Sequence, residues 1–166
     1  MKPQPTDLEW AQGQVPTPYD ALEVRWAQGT DDGEFRMEVV SPAGTSGEVW
    51  VPLASATQTI SLASSGATWL RRDGNYDVYR VGAGSFEFTS APVTFASLEI
   101  LVAAFSTDAD VTSGLIDKLE AAAAAKKPPI RSNIIDAFTA QVGVQTGKAL
   151  TPEQAQLLVT LAVALR

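Results

Sequence analysis

Apolar and polar side chains alternate along the first half of the chain. In ALEVRW, positions 21–26, Leu22, Val24 and Trp26 alternate with smaller or charged residues, and EFRMEV, positions 34–39, repeats the pattern. Successive side chains of a β-strand point to opposite faces, so this period predicts strands with one core face and one solvent face. The predicted strands are Leu8–Val15, Ala21–Ala27, Glu34–Val40, Gly47–Pro52, Thr57–Leu62, Thr68–Arg72, Tyr76–Val81 and Ser85–Thr89.

Turn residues separate these strands. Pro16 and Pro18 precede the second strand, Asp31-Asp32-Gly33 follows it, Pro42-Ala43-Gly44 follows the third, and positions 71–75 form a polar hairpin turn. Short strands with turn signals about every ten residues are typical of a sandwich. We therefore expect two packed antiparallel sheets of the jelly-roll kind.

The hydrophobic period changes to 3.6 residues after Ser90-Ala91-Pro92-Val93, which we expect to form no regular element. Four helical faces follow. They consist of Leu98, Leu101, Val102 and Phe105; Leu115, Leu119 and Ala122; Ile130, Ile134, Ala137, Phe138 and Val142; and Ala155, Leu158, Leu161, Ala162 and Leu165. The prediction is a β-sandwich over residues 1–91 and a small antiparallel helical bundle over residues 92–166.

Local signals set the helix ends. The second helix is expected to run to Lys126 and stop at Pro128-Pro129, and Gly143 or Gly147 to end the third. Thr151-Pro152-Glu153-Gln154 predicts an N-cap, a proline at the first helical position and a capping-box glutamine. Asp108 and Asp110 fit a helix start better than a calcium site, which needs six or more oxygen ligands.

Composition excludes several chemistries. The 166 residues include no Cys and no His, so disulfides, thiolate or imidazole metal ligands and a histidine base are all excluded from this chain. The net charge is −7, with −6 in the first 91 residues (6 basic, 12 acidic) and −1 in the remainder (6 basic, 7 acidic). An acidic balance argues against nucleic acid and anionic membrane surfaces as partners. We expect no metal and no cofactor.

No targeting or membrane segment is recognisable. No apolar run approaches the roughly 20 residues that span a bilayer. The first five residues, MKPQP, lack the apolar core of a signal peptide, and we interpret them as the cut end of a longer chain or as an expression remnant.

A series of short motifs carries a family resemblance over about residues 8–89. Gly13, Val15, Thr17-Pro18-Tyr19 and Trp26 come first, VVSPAG and VWVP follow, and VGAGSFEF, positions 81–88 with Phe86 at its centre, closes the series. In this order they resemble the C-terminal β-sandwich domain of bacterial α-L-rhamnosidases. One departure is Asp20, where the family usually has glycine; aspartate tolerates left-handed backbone, so we expect the turn to be kept.

The resemblance implies a structural role. In this family the catalytic acids lie in a helical barrel upstream, so the expected partner is a catalytic domain of the same polypeptide. The glutamates Glu23, Glu34, Glu38, Glu48 and Glu87 all alternate with apolar neighbours and are expected on solvated strand faces. We therefore expect no catalytic residue in this chain, although its parent protein would be a glycoside hydrolase.

The helical half resembles the FIMAH type of module, found at the C-terminal end of secreted bacterial hydrolases. The matching positions lie mostly between 133 and 162 and include Asn133, Phe138, Gln141, Val142, Gly147, Lys148, Leu150, Thr151, Gln154 and Ala155. This resemblance covers about residues 95–166 and implies a secreted or cell-surface protein. It does not supply a biochemical role for the bundle.

Tryptophans suggest an alternative function. Trp50, Trp69 and Tyr79 are candidates for stacking on sugar rings, which would make the chain a carbohydrate-binding module for polysaccharide. Trp26 shares a face with Leu22 and Val24 and is expected in the core; Gly13, Pro18, Phe86 and Phe138 are also predicted to be structural. A third possibility is a cell-surface interaction domain that acts through the bundle.

Overall fold

The structure, a computed structural model, describes residues 1–5, 7–29 and 33–166. The chain divides into two compact units, Met1–Pro92 and Val93–Arg166. The turn predicted at Asp31 and Asp32 lies outside the described residues.

Eight strands form the first unit, in the predicted order. They are β1 (Trp10–Pro16), β2 (Ala21–Gln28), β3 (Phe35–Ser41), β4 (Gly47–Pro52), β5 (Gln58–Leu62), β6 (Thr68–Asp73), β7 (Tyr76–Val81) and β8 (Gly84–Pro92). The prediction that Ser90, Ala91 and Pro92 form no element is wrong. They continue β8, because Phe35 of β3 pairs with Ser90 on one side and Ile60 of β5 pairs with it on the other.

The strands form two antiparallel sheets of unequal width. The broad sheet has five strands in the order β1-β2-β3-β8-β5, and the narrow sheet has three in the order β4-β7-β6. All pairings between the eight strands are antiparallel, which confirms the predicted two-sheet arrangement.

The core lies between the inner faces of the two sheets. Trp26 stacks on Phe35 with ring centroids 5.5 Å apart, and Tyr79 of the narrow sheet meets Phe88 at 5.2 Å. Both faces contribute further buried side chains, among them Met37, Val39, Val49, Val51, Val81 and Phe86. Trp26 and Phe86 therefore lie in the core, because the alternation turns them towards the opposite sheet.

The narrow sheet leaves the β1 side of the broad sheet uncovered. Ala11, Gly13 and Val15 pair with Trp26, Val24 and Leu22 and share their inner face. Gly13 and Val15 are nevertheless exposed, whereas Gln58 and Ile60, on the inner face of the opposite edge strand, are buried. The two strands β1 and β2 thus form an overhang.

A buried ion pair joins the sheets at the opposite side. Arg72 of β6 contacts both carboxylate oxygens of Asp77 at 2.9 Å, and its guanidinium also donates to the carbonyls of Ala56 (2.7 Å) and Gln58 (2.9 Å). The side chains are 16% and 3% exposed. Gln58 begins β5, so one guanidinium connects the narrow sheet to the edge of the broad one.

The turn before β2 is held by Thr17. Its hydroxyl donates to the carbonyl of Asp20 at 2.6 Å, and the Asp20 carboxylate accepts from the amide of Ala21 at 2.7 Å. The turn is kept as expected, but not by a left-handed aspartate, since Asp20 has a φ of 159°, close to extended backbone. Side-chain hydrogen bonds hold this turn instead.

Four helices form the second unit: α1 (Phe95–Phe105), α2 (Ala109–Ala124), α3 (Pro128–Gln145) and α4 (Pro152–Val163). The predicted caps are confirmed. Asp108 accepts from the amides of Asp110 and Val111, and Thr151 forms a capping box with Gln154. Each helix contacts the next, and α1 also contacts α4.

The buried helical faces match the prediction on α1 and α2, α4 buries Leu157 in addition to the predicted residues that lie within it, and α3 departs further. Phe138 and Val142 are fully buried, but Ile135 replaces Ile134 as the third buried residue, and Ile130 and Ala137 are exposed. Two further predictions are wrong in detail: the second helix ends at Ala124 rather than Lys126, and Leu165 lies beyond α4. Of the two glycines expected to end the third helix, α3 continues through Gly143 and ends two residues before Gly147, which has a φ of 76°.

Replacing Trp26 with alanine should destabilise the first unit by about 3–5 kcal/mol, because a buried ring in contact with Phe35 leaves a cavity. Trp10→Ala is the matched control: Trp10 is 62% exposed, and its loss should cost less than about 0.5 kcal/mol. All four tryptophans lie in the first unit, so their fluorescence during denaturant unfolding reports on that unit. Equal costs for the two variants would contradict the assignment of Trp26 to the core.

Replacing Asp77 with alanine should cost about 3–5 kcal/mol, because it leaves a largely buried guanidinium without its carboxylate. The exposed pair Arg25–Glu38 is the control, and Glu38→Ala should cost less than about 1 kcal/mol. The double variant Arg72→Met/Asp77→Leu should recover much of the loss, since it removes both charges together. A double variant as unstable as the sum of both single variants would refute this account of the pair.

Candidate functional site

A polar groove of about 460 Å³ lies on the outer face of the broad sheet. Its polar side chains come from three neighbouring strands: Gln12 and Gln14 of β1, Glu23 and Arg25 of β2, and Glu38 of β3. They converge because strand alternation turns each of them away from the core. We call these five residues the outer-face groove.

Hydrogen bonds across the strands order this groove. The Gln14 amide donates to the Glu23 carboxylate at 2.7 Å, and the Arg25 guanidinium lies 2.5 Å from the Glu38 carboxylate. Opposite charges on facing strands stabilise a sheet by a few tenths of a kcal/mol per pair. The groove thus presents amide, guanidinium and carboxylate groups to solvent.

An exposed aromatic ring adjoins the groove. Trp10 lies two residues before Gln12 on the same face of β1, and 62% of it is exposed. Indole rings stack on flat apolar faces, and neighbouring amides can hydrogen-bond hydroxyl groups. The arrangement of Trp10, Gln12 and Gln14 therefore has the elements of a sugar-binding surface.

The same groove is poorly built for hydrolysis. A catalytic acid of a glycosidase needs an environment that raises the pKa of its carboxyl group, such as an apolar pocket. Glu23 is exposed, and Glu38 is 43% exposed and paired with Arg25. Across the described residues, no three Asp or Glu side chains lie close enough together to hold a metal ion.

Trp50 lies on the outer face of the narrow sheet, and residues from the start of the chain cover it. The Lys2 ammonium sits 4.2 Å from the centroid of the Trp50 ring and 4.7 Å from that of Tyr76. The guanidinium of Arg71 lies 5.2 Å from the Trp50 ring. Trp50 and Tyr76 meet edge to face, with 69° between their planes, so they do not form a flat platform.

Charge pairing reinforces this cluster. Both terminal nitrogens of Arg71 donate to Glu48, at 3.1 and 3.2 Å. These hydrogen bonds lower the pKa of Glu48 and raise the pKa of Arg71, since each charge stabilises the other. Trp50 is thus flanked by two cations, of which Arg71 is held in place by Glu48.

The other two sugar-binding candidates face inward. Tyr79 is 5% exposed and packs on Phe88, so its assignment as a sugar-binding residue is wrong: the narrow sheet turns its ring into the core. Burial raises the pKa of the Tyr79 hydroxyl well above its ordinary value. Trp69 is half-buried, pairs with Tyr79 and packs against the same core. The structure thus brings Trp69 and Tyr79 together at the core and leaves Trp50 on the opposite face of the narrow sheet.

The residues predicted to be structural divide into two groups. Trp26, Phe86 and Phe138 are buried. Pro18 and Gly13 are exposed, and a Cβ atom added at Gly13 would meet no atom within 4 Å.

Sequence reasoning did not identify the five residues of the outer-face groove as a site. The alternation of β1 and β2 places them on one face, but only the pairing of Gln12 with Arg25 and of Arg25 with Glu38 brings the three strands together. The available signal was Trp10 itself, a large aromatic residue at the start of a polar-faced strand.

Comparison with known proteins gives one family match. Residues 1–62 match the sequence model described as the bacterial alpha-L-rhamnosidase C-terminal domain. These residues contain β1–β5. No curated protein matches the chain.

Two solved structures are similar to part of the chain. The alpha-L-rhamnosidase of Streptomyces avermitilis, complexed with L-rhamnose, is 26% identical over 52% of this chain, with a TM-score of 0.45. The alpha-L-rhamnosidase of Dictyoglumus thermophilum is 26% identical over 51%, with a TM-score of 0.43. The alignments cover 8% and 10% of the length of those two proteins.

Proposed function

We propose that this chain is the non-catalytic C-terminal region of a larger α-L-rhamnosidase-like glycoside hydrolase, in which the first unit braces an upstream catalytic domain. The observation that carries the proposal is the match of residues 1–62 to the C-terminal domain of that family. The matched segment supplies four of the five strands of the broad sheet. A parent protein of this class would act on glycosides of L-rhamnose.

The chemistry of the described residues supports a role without catalysis. Glu38 and Glu48 sit in ion pairs open to solvent, and Asp77 sits in the structural pair with Arg72. Asp20 and Asp108 accept hydrogen bonds from backbone amides. Glycoside hydrolysis needs two carboxyl groups that face each other across a sugar. The outer-face groove offers exposed carboxylates on a sheet surface instead of a cleft between two walls.

The helical unit has its own capped helices and its own core around Phe138, so we assign it a separate accessory or attachment role. Its resemblance to FIMAH modules supports this assignment and suggests a secreted or cell-surface bacterial protein. Within the described residues, no helix is long and apolar enough to cross a membrane.

A second candidate function is carbohydrate binding through the outer-face groove. Exposed Trp10 beside the amides of Gln12 and Gln14 favours it, since these groups can stack on and hydrogen-bond a sugar. This site replaces the predicted one at Trp50, Trp69 and Tyr79. It would serve a parent hydrolase by holding polysaccharide near the catalytic domain.

The 166-residue chain should release no product from an aryl α-L-rhamnoside, even at high protein concentration, because the described carboxylates of the groove lie exposed on a sheet surface and Glu38 is paired with Arg25. The measurement is chromophore release over hours, with a buffer blank to subtract spontaneous hydrolysis. Glu23→Gln and Glu38→Gln are the diagnostic variants. Turnover that disappears in either variant would overturn the non-catalytic assignment.

Binding of rhamnose-containing polysaccharide separates the two candidates. If the outer-face groove binds sugar, affinity electrophoresis should show retardation of the chain that Trp10→Ala abolishes and Trp50→Ala leaves unchanged. If the chain is only a brace, all three proteins should migrate alike with and without polysaccharide. Retardation lost only in Trp50→Ala would instead place a sugar site on the narrow sheet.

A further inference from the structure

The overhang of the broad sheet forms a second, apolar groove of about 190 Å³. Its floor is the inner face of β1 and β2, with Ala11, Gly13, Val15, Val24 and Trp26, and Met1 lines it as well. We call this the overhang groove. It lies on the opposite face of β1 and β2 from the outer-face groove.

This groove continues the core face beyond the edge of the narrow sheet. Val24 packs against the core cluster, and Val15, on the same face, is 51% exposed. The inner face of a sandwich sheet is ordinarily covered by a second layer. Here the covering sheet stops at β4, the edge strand of its three.

Gly13 lies in the middle of this face. A glycine within a strand weakens it and often marks a bulge or the close approach of another backbone. β1 pairs with β2 in unbroken register through Gly13, so there is no bulge. A Cβ atom at this position would point into open space. Among the described residues no atom would meet that added Cβ atom, so this position leaves room for the backbone of another segment to approach.

The start of the chain runs along the wall of the groove. The amino group of Met1 donates to the carbonyl of Glu48 at 2.5 Å, and the carbonyl of Met1 accepts from the amide of Trp50 at 2.8 Å. Met1 is therefore hydrogen-bonded to the residues on either side of Val49. This is the pattern of a parallel strand paired with the free edge of β4.

Two further contacts fix this segment. Lys2 lies over Trp50 and Tyr76, and the Tyr76 hydroxyl donates to the carbonyl of Pro3 at 3.0 Å. Any domain joined before Met1 is therefore attached beside the overhang groove. A domain docked on the outer-face groove would have to reach around the edge of β1.

We propose that the overhang groove is the docking surface for the catalytic domain that precedes this chain, with an apolar segment of that domain lying across Gly13. The proposal rests on the proposed function. It specifies which of the two faces of β1 and β2 is used and leaves the outer-face groove in solvent.

Two valines on opposite faces of the broad sheet test this proposal. Val15 (51% exposed) lies on the overhang face, and Val40 (42% exposed) lies on the outer face. Val15→Lys and Val40→Lys should both leave the unfolding midpoint of the 166-residue chain unchanged, because both side chains already contact water. In the parent protein, Val15→Lys should speed thermal inactivation about tenfold, since it places a charge in an apolar contact, and Val40→Lys should not.

Other results would overturn the inference in distinguishable ways. Equal inactivation of both parent variants would show that the catalytic domain does not use this face. Destabilisation of the 166-residue chain by Val15→Lys would mean that the groove is filled from within the chain, and a dimer of the chain dissociated by that variant would identify a second copy as the occupant. A parent gene without a glycosidase domain upstream would instead refute the proposed function itself.

Discussion

The unequal width of the two sheets determines most of what the first unit presents to its surroundings. Five strands face three, so the inner faces of β3 and β8 are covered while those of β1 and β2 are only partly covered. Trp26 lies at the boundary: its ring reaches the core at Phe35, while Val15 on the neighbouring strand remains half exposed. A sheet face built for burial thus extends into solvent beside the residue at which the chain starts.

At the opposite side of the sandwich, an ion pair joins the two sheets. Arg72 and Asp77 fill the space between β6 and β5 with a charge pair whose hydrogen bonds are satisfied by each other and by the carbonyls of Ala56 and Gln58. Such a pair adds little net stability but penalises any arrangement that separates its partners. It fixes the narrow sheet over β5 and therefore leaves the open side at β1.

The local sequence pattern predicts the strands and helices, but it does not predict which other segments pack against them. Alternation located all eight strands, and capping residues such as Asp108 and Thr151 located helix starts, because both signals act over a few residues. Sheet width and strand order depend on pairing between distant segments. For that reason the sequence predicts neither the burial of Tyr79 in the core nor the convergence of Gln12, Arg25 and Glu38.

Hydroxyl-radical footprinting of the 166-residue chain and of its parent protein tests the central claim, that the overhang face of this domain supports the catalytic domain. Met1 and Trp10 are both exposed in the chain and report on the two faces. The account predicts that Met1 and Val15 lose reactivity in the parent protein while Trp10 and Val40 retain it. Protection of Trp10 and Val40, with Met1 and Val15 as reactive as in the chain alone, would contradict it.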